Sequence, residues 1–518
     1  MKINSLFNFS NNSRTLNTAR NIETGFVSQG ILYLFGVVNR IVFIRCLSAE
    51  YLGVNGLFTN ILSVLSLAEL GIGTAIVFAL YKPLADGNQK EISSLMHFYG
   101  KAYKAIGCIV AVVGLLLLPF MGIIIGDAPN INENLNAIYL LYLFNTSLSY
   151  FFSYKTSLLN ADQKNYIITL YSTATTILQN IVQWIVLILT KNFILYLIVQ
   201  SVFTLLYNIL ISWYVTKKYK FIDIYKDEKV NPQIKKKLFI NIKALIVTKV
   251  SGILVNSTDN IIITALQGLV VTGINSNYVL LTSTLNSLLS VIFSGMTGSV
   301  GNANSSMDHE SRYNLFKGIN FLNFWLYGWS TIGFIILSND IVSFLFGKQY
   351  VVDISIVIIM AVNYYTVGMQ NAVWTFYNTL GLFRYGQYLG LITGLINIVF
   401  SIYFGKLWGL FGILLATFLS RMLTNLWYSP YALFKYGFQK NFLLYCKKYI
   451  AYIIILVFTL FINYCLTSFQ LESLLVTLVL KLLISILVPN IIFGVIFFRT
   501  DEFRYVLSKI SFVIKRKV

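Results

Sequence analysis

The sequence predicts an all-α protein that crosses a membrane many times, and three observations support this fold class. Of the 518 residues, 57% are hydrophobic and only 11% are charged. A globular domain in water carries about 25% charged residues, so this chain cannot cover a water-exposed surface. The mean hydropathy is +0.72. Apolar stretches of about 20 residues, the length of a helix that crosses a ~30 Å hydrocarbon core, recur along the whole chain.

Fourteen such stretches are long enough to span a bilayer. In lipid, a helix satisfies its own backbone hydrogen bonds within one segment and an open strand does not, so we predict helices throughout. The predicted spans cover residues 22–46, 53–80, 105–126, 137–158, 166–190, 193–215, 238–264, 274–300, 319–338, 353–379, 388–404, 409–429, 449–467 and 473–497.

An internal repeat divides the spans into two lobes. A shift of 220 residues aligns Gly-Val-Asn at 53–55 with Gly-Ile-Asn at 273–275, and Ser63 with Ser283. Many transporters are built from such repeats, with the substrate site between them. The predicted organisation is a cytoplasmic N-terminus (1–21), an N-lobe of spans 1–6 (22–215), a basic cytoplasmic linker (216–237), a C-lobe of spans 7–12 (238–429), spans 13–14 (430–497) and a basic cytoplasmic tail (498–518).

The positive charges predict the orientation. With the N-terminus inside, the inner segments hold 30 of the 39 Lys and Arg residues. Cytoplasmic loops are enriched in these residues, so both termini are expected in the cytoplasm. The first twenty residues lack the apolar core of a secretory signal, and we expect no cleaved signal peptide. The basic linker is expected to contact anionic membrane lipid.

Several function classes are disfavoured by the same composition. The net charge of +20 is spread over short loops between apolar spans, so no nucleic acid partner is expected. The four cysteines and two histidines are too far apart in sequence to suggest a metal centre or a catalytic triad. No phosphate-binding Gly-rich loop with a following lysine is present, and every predicted outer loop is short. We therefore expect neither an enzyme nor a bound cofactor.

A polar face runs along span 1 and recurs in register in span 7. An ionised group at the centre of a bilayer costs about 2.5–3.5 kcal/mol on insertion scales, so such residues face the bundle interior or a water-filled cavity. We therefore predict a hydrated cavity between the two lobes. The residues are Gln29, Gly36, Asn39 and Arg40 in span 1 and, at the equivalent positions, Lys249, Asn256, Asp259 and Asn260 in span 7.

Spans 2 and 8 carry polar stripes of the same kind, and lone charges occur further along the chain. The span 2 stripe includes Glu69, for which a hydrogen bond between helices is the structural alternative. Arg421 in span 12 and Lys481 in span 14 lie at membrane depth, where each can serve either a substrate or an internal ion pair. The span 8 stripe comprises Asn275, Thr282, Asn286, Ser290 and Thr297.

Residues 40–86 carry a recognisable pattern. They read R-C-L-S-A-E-Y-L-G from Arg45 to Gly53, followed by a second span that contains Glu69 and ends in Y-K-P-L at 81–84. This segment resembles the start of bacterial polysaccharide flippases (Wzx-type, for O-antigen or capsule repeat units) in the multidrug/oligosaccharidyl-lipid/polysaccharide exporter superfamily. Ser48 stands where glycine is usual in that pattern.

The resemblance implies a flippase that moves an undecaprenyl-diphosphate-linked oligosaccharide repeat unit from the inner to the outer leaflet by alternating access. It also implies a polysaccharide polymerase as a functional partner. Glu69 and Asp259 are expected to balance charge or to bind a coupling proton or sodium ion. Arg40, Lys249 and Arg421 are expected to contact the diphosphate. The other expected substrate contacts are Gln29, Asn39, Asn256, Asn260 and Lys481.

Three other functions stay open at this point. A lipid II flippase shares the lipid-linked diphosphate but is expected to place several arginines in its cavity. A multidrug or cation antiporter of the same superfamily is expected to have twelve spans and a cavity dominated by carboxylates. A membrane glycosyltransferase or polymerase needs acidic residues and a sizeable outer loop, which this chain lacks.

Overall fold

The computed structural model confirms an all-α polytopic membrane fold. It describes residues 12–69, 72–122, 131, 133–225, 228, 230–232, 235, 250–252, 254, 258–306, 308–386 and 388–507. Over these residues the chain is almost entirely helical and contains no strand. Nine helical stretches in this part of the chain are long and apolar enough to cross a membrane. One of them, Leu389–Phe438, contains both the predicted eleventh and the predicted twelfth span.

The chain forms two compact units, Met1–Ile253 and Leu254–Val518. The division falls inside the predicted seventh span rather than in the linker 216–237. In the first unit the helices are α1 (Asn12–Cys46), α2 (Ala49–Leu65), α3 (Ile72–Asp86), α4 (Gln89–Leu117), α5 (Leu135–Ser153), α6 (Thr156–Ala161), α7 (Asn165–Thr190), α8 (Phe193–Lys218) and α9 (Phe221–Ile224). In the second unit they are α10 (Thr258–Ser306), α11 (His309–Phe346), α12 (Ile354–Thr379), α13 (Leu389–Met422), α14 (Asn425–Ala432), α15 (Leu443–Thr467) and α16 (Leu474–Phe497).

The predicted second span is interrupted in the structure. Helix α2 ends at Leu65 and continues as a tighter 3₁₀ turn over Ser66–Glu69, before α3 begins at Ile72. By contrast, residues 91–104, which precede the predicted third span (105–126), are continuous with that span in α4. The start of the basic linker packs on this helix, because the Ser93 hydroxyl donates to the backbone oxygens of Ile222 and Tyr225 at 2.8 and 3.0 Å.

Helix α10 contains a chain reversal at Gly268. The Asn275 amide donates to Asn260 Oδ1 at 3.3 Å, although 15 residues of straight helix would separate these side chains by about 22 Å. Gly268 has a φ of +84°, a conformation that glycine adopts without a Cβ clash. The reversal therefore produces two antiparallel arms, which correspond to the end of the predicted seventh span and the eighth.

Helix α13 reverses in the same way at Gly409, whose φ is +58°. The Asn397 amide donates to Thr417 Oγ1 at 3.3 Å across a sequence distance that a straight helix would extend to about 30 Å. The two arms correspond to the predicted eleventh and twelfth spans. Both hairpins place polar residues from different spans side by side.

The second unit is packed around a large aromatic core. Phe324 stacks on Tyr452 with ring centroids 4.1 Å apart, which fixes α15 to α11. Two tryptophans of α11 reach the last helix, α16: Trp325 donates to Asn490 Oδ1 at 2.6 Å and Trp329 to the Ser485 carbonyl at 2.9 Å. The predicted spans 13 and 14 are thus firmly attached to the second unit.

The outer faces of these last two helices are apolar and exposed. Phe461, Leu487 and Val495 leave 57–75% of their surface uncovered. A water-exposed surface of this kind is unfavourable, whereas hydrocarbon chains solvate it at no cost. The exposed faces are therefore the lipid-contacting surface of the protein.

Close packing at Gly368 leads to a stability prediction. A Cβ atom there would lie 2.0 Å from the Tyr327 ring, whereas a Cβ at Gly333 would meet no atom within 4 Å. We expect Gly368→Ala to destabilise the protein by about 1–3 kcal/mol through overpacking. The matched variant Gly333→Ala is expected to be neutral or slightly stabilising because alanine favours the helix. Thermal unfolding of the detergent-purified protein measures both, and equal unfolding temperatures would contradict the packing argument.

Candidate functional site

The second unit contains a cavity of about 280 Å³ that is lined by both polar and apolar residues. Its walls come from both arms of α10, from α12 and from the second arm of α13. Three residues of the predicted span 8 stripe line it: Asn275, Thr282 and Asn286. The other polar lining residues are Asp259, Ser283, Asn363, Tyr364, Thr417 and Arg421.

Asp259 is the acidic residue of this cavity. The Thr417 hydroxyl donates to Asp259 Oδ2 at 3.1 Å, and Thr417 is itself held by the Asn397 amide. The other carboxylate oxygen, Oδ1, is buried and has no hydrogen-bond partner among the described residues. The Asn275 Oδ1 oxygen is in the same situation. Two buried acceptors among the residues that line the cavity thus form no hydrogen bond within the described part of the chain.

Arg421 is the basic residue of the cavity. Its Nη1 donates to Asn363 Oδ1 at 3.4 Å. The Asn363 amide is oriented by the backbone oxygens of Ile359 and Leu414, at 3.2 and 2.9 Å. Arg421 and Asp259, both in the described part of the chain, interact through their charges but form no direct ion pair. The two opposite charges are thus held apart on neighbouring walls.

A hydrogen-bond network continues from the cavity into the core. The Tyr327 hydroxyl donates to Asn286 Oδ1 at 2.7 Å and accepts from the Asn371 amide at 2.7 Å. The Tyr364 hydroxyl is 2.9 Å from Ser330 Oγ. These bonds fix the orientation of Asn286 and Tyr364, so part of the cavity wall is rigid.

The structure places the other residues predicted in the seventh span as follows. Asn260 accepts from Asn275 and joins the two arms of α10. Lys249 and Asn256 lie outside the described residues. Of the span 7 residues, Asp259 is the one with a described position in the cavity wall.

Helix α1 carries the three predicted contacts of the first unit. Asn39 accepts from the Trp184 indole at 3.1 Å and donates to the Tyr196 hydroxyl at 3.2 Å, so it joins α1 to α7 and α8. Arg40 is half-buried and interacts electrostatically with Tyr196. Gln29 is exposed. Asn39 therefore has a packing role in this conformation.

Glu69 lies in a tyrosine cluster of the first unit. It accepts a hydrogen bond from the Tyr103 hydroxyl, and Tyr103 packs edge-on against Tyr99 with centroids 4.3 Å apart. The backbone of Gly73 approaches this group so closely that a Cβ would lie 2.7 Å from Glu69 Oε1. The carboxylate thus bonds helix α4 to the interrupted second span, which is the structural alternative that the sequence leaves open.

Lys481 forms an ion pair with Asp340 of α11, with Nζ and Oδ2 2.7 Å apart. Their side chains are only 10% and 19% exposed. The pair joins the last helix to the core of the second unit. Lys481 is therefore engaged internally in this conformation and is not part of the cavity wall described above.

Two residues important to the cavity are not predicted from the sequence, Asn363 and Thr417. Asn363 lies in the predicted tenth span, at helical spacing from Thr366 and Gln370, and this polar stripe is a usable sequence signal. Thr417 precedes Arg421 by four residues, a spacing that places both on one helix face. That spacing is a usable sequence signal, although it does not identify Asp259 as the common neighbour.

The Lys481–Asp340 pair predicts a double-mutant result. Asp340→Asn leaves the Lys481 charge without its partner and is expected to lower the free energy of unfolding by about 3 kcal/mol. Adding Lys481→Met removes that charge, and most of the loss should be recovered. Thermal unfolding of the wild type and of these variants in detergent measures this coupling. Additive losses would show that the two charges do not stabilise each other.

Comparison with known proteins identifies the fold. No protein-family model and no curated protein matches the sequence. The chain resembles a solved structure of the lipid II flippase MurJ in an inward closed conformation (18% identity, TM-score 0.63, 92% of this chain and 98% of that one). It also resembles an inward-facing multidrug resistance MATE transporter of the MOP superfamily (15%, 0.63, 78% and 96%). A third match is a MOP superfamily transporter from Pyrococcus furiosus Vc1 described as having reversed binding-pocket polarity (13%, 0.53, 83% and 97%).

Proposed function

We propose that this protein is a flippase that moves an undecaprenyl-diphosphate-linked oligosaccharide repeat unit from the inner to the outer leaflet of the bacterial cytoplasmic membrane. The observation that carries this proposal is the polar cavity of the second unit, within a fold shared over 92% of the chain with a lipid II flippase. The neighbours are flippases and transporters, which supports a transport function rather than an enzymatic one. The motif from Arg45 to Gly53 favours the polysaccharide branch.

The substrate has three parts with different requirements. The polyprenyl tail can stay in lipid, the sugars require hydroxyl and amide partners, and the diphosphate requires positive charge. We propose Arg40 and Lys249 as the diphosphate contacts, since both lie on the repeated polar face of the sequence. An arginine offers a planar fork to a phosphate and a lysine offers a point charge.

The two acids are proposed to balance charge or to couple transport to a proton or sodium ion. Asp259 has one oxygen bonded to Thr417 and one without a donor among the described residues, an arrangement that also suits a cation. Glu69 ends the 3₁₀ turn that interrupts the second span, and it accepts a hydrogen bond from Tyr103 of α4. A change in the charge of Glu69 would therefore alter the packing of α4. We further propose that the two lobes move by alternating access and that a polymerase then receives the lipid-linked repeat unit.

A lipid II-type flippase is the second candidate function. The similarity to MurJ over nearly its whole length favours it. A multidrug antiporter is favoured less, because the described cavity pairs its acid with an arginine and is not dominated by carboxylates. The two flippase candidates differ in the polymer that fails when transport stops.

The direct test measures the leaflet in which the lipid-linked intermediate accumulates. In cells without the protein, the proposal expects repeat units of the surface polysaccharide to accumulate on the cytoplasmic leaflet, inaccessible to an impermeant glycosidase in spheroplasts. Accumulation on the outer leaflet would instead indicate a polymerase. Accumulation of lipid II with intact polysaccharide intermediates would establish the second candidate.

Arg40 and Arg45 form a matched pair of variants on one helix. Arg40→Ala is expected to abolish polysaccharide export while the protein remains in the membrane, because the diphosphate loses a compensating charge. Arg45 is exposed near the end of α1, and Arg45→Ala should retain most export. Surface polysaccharide and membrane levels of the protein are measured together. Full export by Arg40→Ala would refute the assignment.

A further inference from the structure

Among the described residues, the lining of the cavity of the second unit carries no net formal charge. Asp259 and Arg421 are its two ionisable groups of opposite sign, and the other polar lining residues are neutral amides and hydroxyls. A diphosphate would bring two or more negative charges to a site whose arginine is already balanced by an acid. Burying uncompensated charge at membrane depth is costly. The described cavity is therefore a poor place for the diphosphate.

The unmet hydrogen-bonding capacity points to a ligand that donates. Asp259 Oδ1 and Asn275 Oδ1 are buried acceptors that form no hydrogen bond with the described residues. Leaving such a group unsatisfied is unfavourable, and a ligand donor removes that penalty. Phosphate and carboxylate groups bring acceptors only, whereas a hydroxyl brings both a donor and acceptors.

The separation of the two charges suits a hydroxyl group as well. Asp259 and Arg421 line the same cavity and form no direct ion pair among the described residues, so a group that donates to the carboxylate and accepts from the guanidinium would satisfy both. A sugar hydroxyl has this property. Apolar walls from Met360 and Leu414 and the ring of Tyr364 suit the C–H face of a sugar ring.

We propose that this cavity is a subsite for a neutral sugar of the lipid-linked substrate, whose hydroxyls bridge Asp259 and Arg421, while the diphosphate binds elsewhere. This inference rests on the proposed flippase function and reassigns Arg421 from the diphosphate to the sugar. A volume of about 280 Å³ lies at the low end of small-molecule pockets, about 300–1,000 Å³, so the cavity takes part of a repeat unit rather than all of it.

The test compares two lipids that differ only in the sugar. The full-length protein in nanodiscs is titrated with undecaprenyl diphosphate and with undecaprenyl diphosphate carrying one neutral N-acetylhexosamine, and binding is followed by native mass spectrometry. The wild type is expected to bind the sugar-bearing lipid more tightly. Asp259→Asn and Arg421→Gln should each weaken that binding about tenfold or more, as expected for lost hydrogen bonds to charged groups, and leave the affinity for the bare lipid unchanged.

Two control variants distinguish a lost sugar contact from a general loss of lipid binding. Ser420→Ala removes a buried hydroxyl beside Arg421 that bonds only the Thr417 carbonyl of its own helix among the described residues, and it should leave both affinities unchanged. Arg40→Gln, in the proposed diphosphate contact, should weaken both lipids alike. Retained binding of the bare lipid by Asp259→Asn and Arg421→Gln shows that these variants are folded.

Three outcomes would overturn the inference. Equal affinity of the wild type for both lipids would show that no sugar subsite contributes to binding. Equal losses for both lipids in Arg421→Gln would return this residue to the diphosphate, with the flippase function intact. Failure of the wild type to bind either lipid would contradict the proposed function and the subsite together.

Discussion

The structure of the second unit depends on one constraint: hydrocarbon cannot hydrogen-bond, so each polar side chain at membrane depth must find a partner within the protein or within water. Tyr327, Asn286 and Asn371 satisfy one another in a chain of bonds. Lys481 satisfies its charge with Asp340. Asp259 and Arg421 differ from these residues because their hydrogen-bonding capacity is only partly used. Both line the same cavity. Hydrogen-bonding groups that are only partly satisfied on a cavity wall favour a ligand-binding role there over a purely structural one.

The sequence predicts the class of the fold well, because a single stretch of about twenty apolar residues crosses lipid as a helix. It predicts the positions of the turns between spans 7 and 8 and between spans 11 and 12, where the structure reverses at Gly268 and Gly409. It does not predict the 3₁₀ turn after Leu65, although the nearby Gly71 and Gly73 are residues that weaken a helix. It also does not distinguish a residue that joins helices from a ligand contact: Asn39 and Lys481 look like cavity residues in sequence, yet each bonds a partner on another helix. Such partners depend on which helices are neighbours, which periodicity does not encode.

In the proposed flippase, two kinds of contact recognise the substrate: positive charge binds the diphosphate, and hydrogen-bond donors and acceptors bind the sugar. A phosphate is bound by positive charge that no acid neutralises, whereas a sugar is bound by mixed donors and acceptors at little net charge. Separating these functions lets the sugar subsite change with the polysaccharide while the phosphate contacts stay the same. In the proposed flippase, Asp259 and Arg421 set the sugar preference.

The most direct test of the account asks whether the polar wall of the second unit is wet. In a protein whose four native cysteines are replaced, single cysteines are introduced by Asn286→Cys in the cavity and Leu395→Cys on the exposed apolar surface of α13. A charged, water-soluble thiol reagent reacts with thiolates, which form only in contact with water. We expect labelling of Asn286→Cys and little labelling of Leu395→Cys in permeabilised cells. Labelling of Leu395→Cys alone, or of neither, would contradict a hydrated cavity.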